Sequence, residues 1–512
     1  MGLGRTLAVG LSGVEGRVVQ VEAHGSEGLP ALTVSGRPDS ACAQAPHRVR
    51  AAALSSGTSV SSRRWTINLS PASLPKVGAG FDLAVAVALL VADGKLPGRD
   101  AVDTVHLGEL GLDGTVRSVP GVLPMVLAAV REGVCRVVVP RANAREAALV
   151  PGVRVHAVGS LRETVALHQA LGEGRRPHAY LPDPADGTTG QDPPDLRDVV
   201  GQAQAREALE VAAAGRHHLL LVGPPGAGKT MLAERLPGIL PPLDEPEAIE
   251  VTAVHSVLGA LRAGGRLVDR PPFVAPHHNA SLASVVGGGS GDVRPGAVSR
   301  AHRGVLFLDE TPEFRRDVLD GLRQPLESGE VTITRADRHV RLPARFQLVA
   351  AANPCPCGNA TGKGLACSCT PLARRTYFGK LSGPLLDRID VRVQVQAVTR
   401  FSLSGPAGDD SATVRERVLA ARAAQAARWS GQPWSLNADV PGRVLREPPW
   451  RLPGPVTRDL DAAMDSGLLT LRGYDRCLRL SWTVADLCGA DRPGRHHASS
   501  ALLLRASEAV AA

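Results

Sequence analysis

The stretch His218-Leu-Leu-Leu-Val-Gly-Pro-Pro-Gly-Ala-Gly-Lys-Thr230 decides the fold of this 512-residue chain. A short apolar run enters a glycine-rich segment that matches GxxxxGK[ST], and a helical pattern follows. Glycines let backbone amides curl around phosphate oxygens, Lys229 brings a charge to the β- and γ-phosphates, and Thr230 brings a hydroxyl to Mg²⁺. We predict a phosphate-binding loop for ATP and Mg²⁺, made of Gly223, Pro224, Pro225, Gly226, Ala227, Gly228, Lys229 and Thr230.

Two carboxylates follow a second apolar run about eighty residues later, at the end of Val305-Leu-Phe-Leu308. We expect Asp309 to bind Mg²⁺ and Glu310 to polarise the attacking water, because both roles need a carboxylate beside the γ-phosphate. Two acidic residues at the solvent edge of a buried strand are the alternative interpretation. The upstream phosphate-binding loop favours the catalytic pair.

Two further polar residues are candidates for the same site. Asn353 follows the strand-like run Gln347-Leu-Val-Ala350, where its amide side chain can orient the water, although an Asn in this position is more often a turn former. Arg388 ends the segment Ser382-Gly-Pro-Leu-Leu-Asp-Arg388. In a ring of subunits it can reach a neighbour's γ-phosphate as an arginine finger, and otherwise it is a surface ion-pair partner.

Composition and hydrophobic patterning divide the chain into three domains and a linker. Residues 1–172 mix strand-like and helical patterns, and residues 173–194 are rich in Pro, Gly, Asp and Thr. Residues 195–398 form a second α/β unit, and residues 399–512 are helical. The predicted fold class is therefore α/β, with an N-terminal α/β domain, a central P-loop domain built on a parallel sheet, and a smaller all-helical C-terminal region.

Charge and hydropathy restrict the class of protein. The net charge of +8 and the pI of about 9.3 suit an acidic polymer, but many basic proteins never bind nucleic acid. The sequence contains no run of 18 apolar residues and no secretory signal pattern. We therefore expect a cytoplasmic protein with no membrane partner.

Further segments resemble the ComM/YifB family, the magnesium-chelatase-like AAA+ ATPases, over almost the full length of the chain. They are similar to that family's signatures in order and spacing. In the first half they are Gly28-Leu-Pro30, Lys76 and Gly80-Phe-Asp-Leu83; in the second, Ala275-Pro-His-His-Asn-Ala280, Val286-Gly-Gly-Gly-Ser290, Arg294-Pro-Gly296, Gly304-Val-Leu-Phe-Leu-Asp-Glu310, Pro312-Glu-Phe314, Asn353-Pro-Cys-Pro-Cys-Gly358 and Ser382-Gly-Pro-Leu-Leu-Asp-Arg-Ile-Asp390.

The resemblance implies a homo-oligomeric ATPase ring, a hexamer, with Asn353 as the first sensor, Arg388 as the finger and Arg472 as the second sensor on the helical lid. Family members of the ComM type are helicases that promote branch migration when incoming single-stranded DNA recombines in natural transformation. Single-stranded or branched DNA is therefore the implied partner. The alternative is a chelatase-like ATPase that remodels a partner protein and binds no DNA. The chain departs from the family pattern at Thr311, usually Leu, and at Trp482, usually Arg.

The first domain looks like the Lon protease domain, which uses a Ser-Lys dyad. Gly80 and Leu123 stand where that family has its Ser nucleophile and its Lys base, so neither an activated hydroxyl nor its base is available. Ser70, Ser73 and Lys76 lie nearby and offer an improvised dyad, which is the less favoured hypothesis. We expect a non-catalytic domain with an interaction or ring-assembly role.

Four of the eight cysteines fall within fifteen residues, and the two C-x-C pairs are separated by nine residues. One structural Zn²⁺ in a tetrahedral Cys₄ site would use all four thiolates, and reduced free thiols are the alternative. His277 and His278 are interpreted as part of an insert loop near the nucleotide or the channel rather than as metal ligands. The four cysteines are Cys355, Cys357, Cys367 and Cys369.

The segment from Glu330 to Leu342 alternates apolar and polar residues around a polar tip, which predicts a β-hairpin. In related ring helicases a hairpin at this place projects into the central channel. Arg335, Arg338 and His339 are therefore candidates for contacts with DNA phosphates. Exposed arginines that only keep a hairpin soluble are the alternative.

Overall fold

The computed structural model describes residues 2–181, 192–261, 266–289, 293–335, 338–360, 366–397 and 408–505. Its elements fall into three successive groups. The first contains strands β1 (Leu3–Ser12), β2 (Glu15–Ser26), β3 (Ala31–Ser35), β4 (Arg64–Ser70), β5 (Thr104–His106), β6 (Glu109–Leu110), β7 (Val116–Arg117), β8 (Arg136–Pro140) and β9 (Arg154–Val158), and helices Ser40–Ala43, Ala45–Ser55, Asp82–Ala92, Val122–Arg131, Ala144–Ala147 and Leu161–Gly172.

The second and third groups carry the nucleotide-binding unit and the C-terminal helices. The second contains strands β10 (Leu219–Val222), β11 (Phe273–Val274), β12 (Gly287–Gly288), β13 (Arg294–Pro295), β14 (Val305–Leu308), β15 (Glu330–Arg335), β16 (Arg338–Pro343), β17 (Gln347–Ala352) and β18 (Val391–Gln394), and helices Ala203–Gly215, Lys229–Ile239, Glu245–Val257, Leu282–Val285, Ala297–Arg300, Arg316–Gly321, Arg323–Ser328, Pro371–Gly379 and Gly383–Leu386. The third contains helices Ser411–Arg428, Gly442–Arg446, Gly454–Asp465, Leu471–Leu487 and Arg495–Arg505.

The first group is built on a seven-stranded sheet in the order β3-β4-β2-β1-β5-β8-β9. Its long β1 and β2 pair antiparallel, whereas β5, β8 and β9 are parallel. The helix Asp82–Ala92 is buried on nearly every side because its sequence is almost wholly apolar. Gly4 permits its close approach, since a Cβ there would lie 2.1 Å from the carbonyl oxygen of Ala88.

The second group is built on a five-stranded parallel sheet in the order β11-β14-β17-β10-β18. Strands β10, β14 and β17 are buried along their whole length, which explains their continuous apolar sequences. Because all five strands run the same way, their carboxyl ends meet at one edge. The predicted fold class, an α/β protein with a parallel sheet and a helical C-terminal region, is confirmed.

The C-terminal helices pack around Leu471–Leu487. Trp482, the departure from the family pattern, is buried on this helix, and the Arg428 guanidinium lies 4.5 Å from its ring centroid and pairs with Asp486. Trp482 is ten residues from Arg472, about 15 Å along a helix. Trp482 therefore belongs to the packing of the helical region and lies away from Arg472.

The first group contacts the nucleotide-binding unit through the helix Glu245–Val257. The Gly121 amide donates a hydrogen bond to the Ser256 carbonyl oxygen over 3.0 Å, and the Ser256 hydroxyl donates to the Glu146 carboxylate. None of the helices in the described ranges has the length and hydrophobicity needed to cross a bilayer.

Candidate nucleotide-binding site

The predicted phosphate-binding loop joins the carboxyl end of β10 to the helix Lys229–Ile239. Gly226 and Gly228 have φ angles of +75° and +91°, in the left-handed region that side chains with a Cβ rarely adopt. Gly223 is required for a different reason, since a Cβ there would lie 2.3 Å from the carbonyl oxygen of Val395. The three glycines of the motif therefore each meet a backbone constraint.

The Lys229 ammonium group is held at the mouth of the loop by three acceptors. Its Nζ donates to the carbonyl oxygens of Gly223 and Pro224 over 2.7 and 3.0 Å, and to Oδ1 of Asn353 over 3.0 Å. Burial lowers the pKa of Lys229 from its ordinary value, while the Asp309 and Glu310 carboxylates oppose that shift. Phosphate oxygens can replace these acceptors without moving the charge far.

Asp309 lies opposite the start of the same helix, at the carboxyl end of β14. The Thr230 hydroxyl donates to Asp309 Oδ2 over 2.8 Å, and Asp309 Oδ1 accepts from the Glu310 amide over 2.9 Å. A hydroxyl and a carboxylate in contact are oxygen donors of the kind that Mg²⁺ prefers. The donor set therefore fits the predicted Mg²⁺.

Glu310 occupies a constrained turn after β14. Its φ is +48°, unusual for a residue with a side chain. The next residue, Thr311, is buried, and its hydroxyl donates to the Leu308 carbonyl over 2.7 Å and accepts from the Ala351 amide over 3.2 Å. Thr311 thus ties this turn to β17.

His278 contacts the Glu310 side chain, with 3.3 Å between Nδ1 and Oε2. His277 packs beside it, the two ring centroids being 4.2 Å apart. The contact arises because β11 and β14 are neighbours in the sheet, so residues that follow their carboxyl ends converge. The sequence predicts that both histidines lie near the nucleotide or the channel, but the pairing of His278 with Glu310 depends on strand order and has no local signal.

The phosphate-binding loop and the two carboxylates line a cleft of about 380 Å³ at the carboxyl edge of the parallel sheet. The expected first sensor, Asn353, also lines this cleft and lies beside Lys229. The lining residues are Pro225, Gly226, Ala227, Gly228, Lys229, Thr230, Asp309, Glu310, Ala352 and Asn353.

Arg388 and Arg472 lie elsewhere, together, in a cleft of about 190 Å³. Arg476, which also lines this cleft, pairs with Asp390, and Asp390 accepts a hydrogen bond from the His218 amide over 3.2 Å. His218 and Asp390 immediately precede β10 and β18. The arginines are therefore at the amino edge of the sheet, whereas the phosphate-binding loop is at the carboxyl edge. The four residues of β10, about 13 Å long, separate the two edges.

The amino-edge cleft is rich in guanidinium groups. Arg388 pairs with Glu327, while burial lowers the pKa of Arg479 from its ordinary value. Burial by itself raises the pKa of Asp390, but the neighbouring Arg476 guanidinium holds it well below its usual range. The remaining cleft residues are Asp387, Arg472 and Asp475. The cleft therefore has four guanidinium groups against three carboxylates in its lining, and Arg388 and Arg476 are already ion-paired.

The cysteine cluster forms a compact group of four sulfur atoms, all within 4.8 Å of one another. The Sγ of Cys355 lies 3.3 Å from that of Cys357 and 3.6 Å from that of Cys367, and Cys357 lies 3.7 Å from Cys367. Tetrahedral zinc with bonds of about 2.3 Å would set its sulfur ligands about 3.8 Å apart. The donor set therefore fits the predicted Zn²⁺.

The improvised protease dyad is not assembled. The Lys76 amine is buried and donates to the carbonyl oxygen of Pro71, and Ser73 is exposed. Leu123 is fully buried in the core of the first domain. In the described part of the chain, the Lys76 amine has no hydrogen bond to Ser70 or to Ser73.

The predicted hairpin forms, with β15 and β16 paired antiparallel from Glu330 opposite Pro343 to Arg335 opposite Arg338. The His339 ring lies 3.1 Å from the Thr334 hydroxyl. The side chains of Arg335 and Arg338, two of the predicted DNA contacts, lie outside the described part of the structure.

Family profiles match three parts of the chain. The profile described as magnesium chelatase, subunit ChlI, covers residues 195–403; that of subunit ChlI of Mg-chelatase covers residues 21–143; and that of the ChlI C-terminal region covers residues 408–505.

Full-length similarity links the chain to three bacterial proteins. An uncharacterized protein of Mycobacterium tuberculosis is 50% identical over 505 residues, 99% of both chains. The uncharacterized protein YifB of Salmonella typhimurium is 41% identical over 496 residues, 96% of this chain and 95% of its own. The competence protein ComM of Haemophilus influenzae is 40% identical over 498 residues, 96% of both chains.

Proposed function

Because the chain belongs to the ComM/YifB family of magnesium-chelatase-like AAA+ ATPases, we propose that it is an ATP-driven DNA motor: a helicase or branch-migration factor acting on single-stranded or branched DNA in recombination or natural transformation. One observation supports the ATPase part of this proposal: five functional side chains converge on one cleft. They are Lys229, Thr230, Asp309, Glu310 and Asn353. The Haemophilus protein is named a competence protein, which supports the natural-transformation part.

ATP hydrolysis at this cleft is phosphoryl transfer to water. Lys229 stabilises charge on the β- and γ-phosphates, and Glu310 takes the proton of the attacking water as the bond from the γ-phosphorus to its leaving oxygen breaks. Asn353, which accepts a hydrogen bond from Lys229, orients the attacking water. Thr230 and Asp309 would hold Mg²⁺, which would neutralise charge on the phosphate oxygens.

We further propose that the amino-edge arginines complete a neighbouring subunit's site in a hexameric ring. Arg388 and Arg472 share one cleft on the edge opposite their own phosphate-binding loop. Groups on opposite edges of a domain meet when identical subunits pack head to tail in a ring. Arg388 then acts as the finger and Arg472 as the second sensor, both on a neighbour's ATP.

The β15–β16 hairpin is the proposed DNA-contacting element. It forms a two-stranded sheet of its own, outside the five-stranded sheet, and leads directly into β17, whose end carries Asn353. A movement of the hairpin can therefore be transmitted along β17 to Asn353 in the nucleotide site. Arginines at its tip suit a phosphate backbone.

DNA should stimulate ATP turnover. We expect single-stranded DNA and a three-way junction to raise the ATPase rate of the wild-type protein several-fold, and the Arg335→Ala/Arg338→Ala variant to lose this stimulation while keeping its DNA-free rate. Its affinity for DNA should also depend less steeply on salt, since fewer counterions are released. Steady-state ATPase and filter-binding measurements at several salt concentrations test this.

A matched control replaces Arg315 and Arg316 by Ala, an exposed arginine pair outside the hairpin. Lys229→Ala sets the background rate. An ATPase that DNA does not stimulate and that displaces no strand would contradict the motor proposal and favour the alternative, a chelatase-like ATPase that remodels a partner protein.

His278 is proposed as a positioning residue for Glu310. Its Nδ1 contacts the carboxylate from the neighbouring strand end, so it limits where the carboxylate can lie. We expect His278→Ala to lower kcat for ATP by about tenfold to a hundredfold. KM should stay within about twofold because Lys229 and the loop are intact, and His278→Asn should recover part of kcat.

His277→Ala is the matched control, because His277 packs on His278 without contacting Glu310 in this structure. A His278→Ala variant with wild-type kcat, or one in which KM alone rises, would overturn the positioning role.

A further inference from the structure

The four-cysteine loop begins beside the nucleotide site, and the helix that follows it contacts the same site. Asn353, which accepts a hydrogen bond from Lys229, is two residues before Cys355. The helix Pro371–Gly379 starts two residues after Cys369. The Tyr377 hydroxyl on that helix accepts a hydrogen bond from the Asn353 amide over 3.4 Å. The residue proposed to orient the water therefore precedes the cysteine loop and also contacts the helix that follows the loop.

The loop also touches the phosphate-binding loop directly. Gly358 has a φ of +78°, and a Cβ there would lie 2.5 Å from Cδ of Pro225. Its amide donates to the Cys355 carbonyl over 2.9 Å, so the Gly358 backbone is fixed to the buried cysteine. The cysteine loop therefore packs against Pro225, which forms part of one wall of the nucleotide cleft.

We propose that the four thiolates bind one zinc ion that holds this wall in place, and that peroxide oxidation of the cluster releases the zinc and weakens nucleotide binding. The proposal rests on the proposed ATP site. It assigns the cluster a role in the nucleotide site beyond local folding.

The chemistry needs only a peroxide. Two thiolates and one hydrogen peroxide molecule give one disulfide: the sulfurs lose two electrons, the O–O bond breaks, and two protons from solvent complete two water molecules. The remaining thiolates can react with a second peroxide. Zinc that loses two of four ligands leaves as the hydrated ion, because the site then has too few donors to hold it.

Peroxide can reach the thiols of this cluster more readily than the buried thiols elsewhere in the chain. Cys357, Cys367 and Cys369 are half-buried, whereas Cys42 and Cys477 are buried. The exposed Cys135 and Cys488 lie in the first domain and in the C-terminal helices, outside the cluster. They provide a matched control.

The experiment titrates the purified full chain with hydrogen peroxide. A chromogenic chelator follows zinc release, and a fluorescent ADP analogue follows nucleotide binding. We expect close to one zinc per chain to be released and the affinity for the analogue to fall roughly tenfold or more in step with it, since displacing a binding wall by about 1 Å is costly. Dithiothreitol with added zinc should restore binding.

The Cys135→Ser/Cys488→Ser variant should respond to peroxide as the wild type does. The Cys367→Ser/Cys369→Ser variant should purify without zinc, bind the analogue weakly and show no further response. Because the wild-type titration stands alone, poor folding of that variant does not remove the test.

Three results would be decisive against the proposal: less than about 0.2 zinc per chain, nucleotide binding that survives complete zinc release, or loss of the peroxide response in the Cys135→Ser/Cys488→Ser variant. Failure of the unoxidised protein to bind the analogue would instead overturn the proposed ATP site.

Discussion

Replacing Glu310 by Gln should lower ATP turnover by about 10²- to 10⁴-fold, the range that a positioned general base contributes. The amide keeps the shape of the side chain and its contact distance to His278 but cannot take the proton of the water. Because Lys229, Thr230 and Asp309 are untouched, Mg-ATP should still bind. Single-turnover hydrolysis and nucleotide-binding measurements separate the two effects.

Glu313→Gln is the matched control for this variant. Glu313 is exposed, lies three residues further along and pairs with Lys380 rather than facing the cleft. We expect its turnover to remain near that of the wild type, since an exposed ion pair contributes little. Lys229→Ala should differ from Glu310→Gln by losing ATP binding as well as turnover. If Glu310→Gln turned over ATP within about threefold of the wild-type rate, Glu310 would not be the general base.

The carboxyl-edge half of the site could be predicted from the sequence because each part has a local signature. The loop is a run of eight residues with fixed glycine positions, and Asp309, Glu310 and Asn353 each follow an apolar strand. Because the strands are parallel, their carboxyl ends lie at the same edge of the sheet, and the residues that follow them are brought together. The cysteine cluster was predictable for a similar reason, since its four members are close in the chain.

The rest of the site depends on contacts between distant segments. The pairing of His278 with Glu310 follows from β11 lying beside β14, and no local pattern specifies that order. The common location of Arg388 and Arg472 follows from how the helix Leu471–Leu487 packs against the amino edge of the sheet. The contact of Gly358 with Pro225 depends on two loops from different strands.

Mixing two inactive variants should restore ATP turnover if Arg388 serves a neighbour. Arg388→Ala alone should lose about 10³- to 10⁵-fold of turnover, as when an arginine finger is missing. In a mixed ring, a Glu310→Gln subunit supplies its intact Arg388 to the intact cleft of an Arg388→Ala subunit. With equal amounts and random assembly, about a quarter of the interfaces combine the two intact halves, so turnover should approach about a quarter of the wild-type rate.

The pairing of defects identifies the direction of the contact. Lys229→Ala mixed with Glu310→Gln should stay inactive, because both changes damage the carboxyl-edge half and no interface is complete. Arg472→Ala mixed with Glu310→Gln should recover turnover as Arg388→Ala does, since both arginines share the amino-edge cleft. If Arg388 acted on its own chain's ATP, no mixture with Glu310→Gln would recover, because every chain would then carry a damaged site.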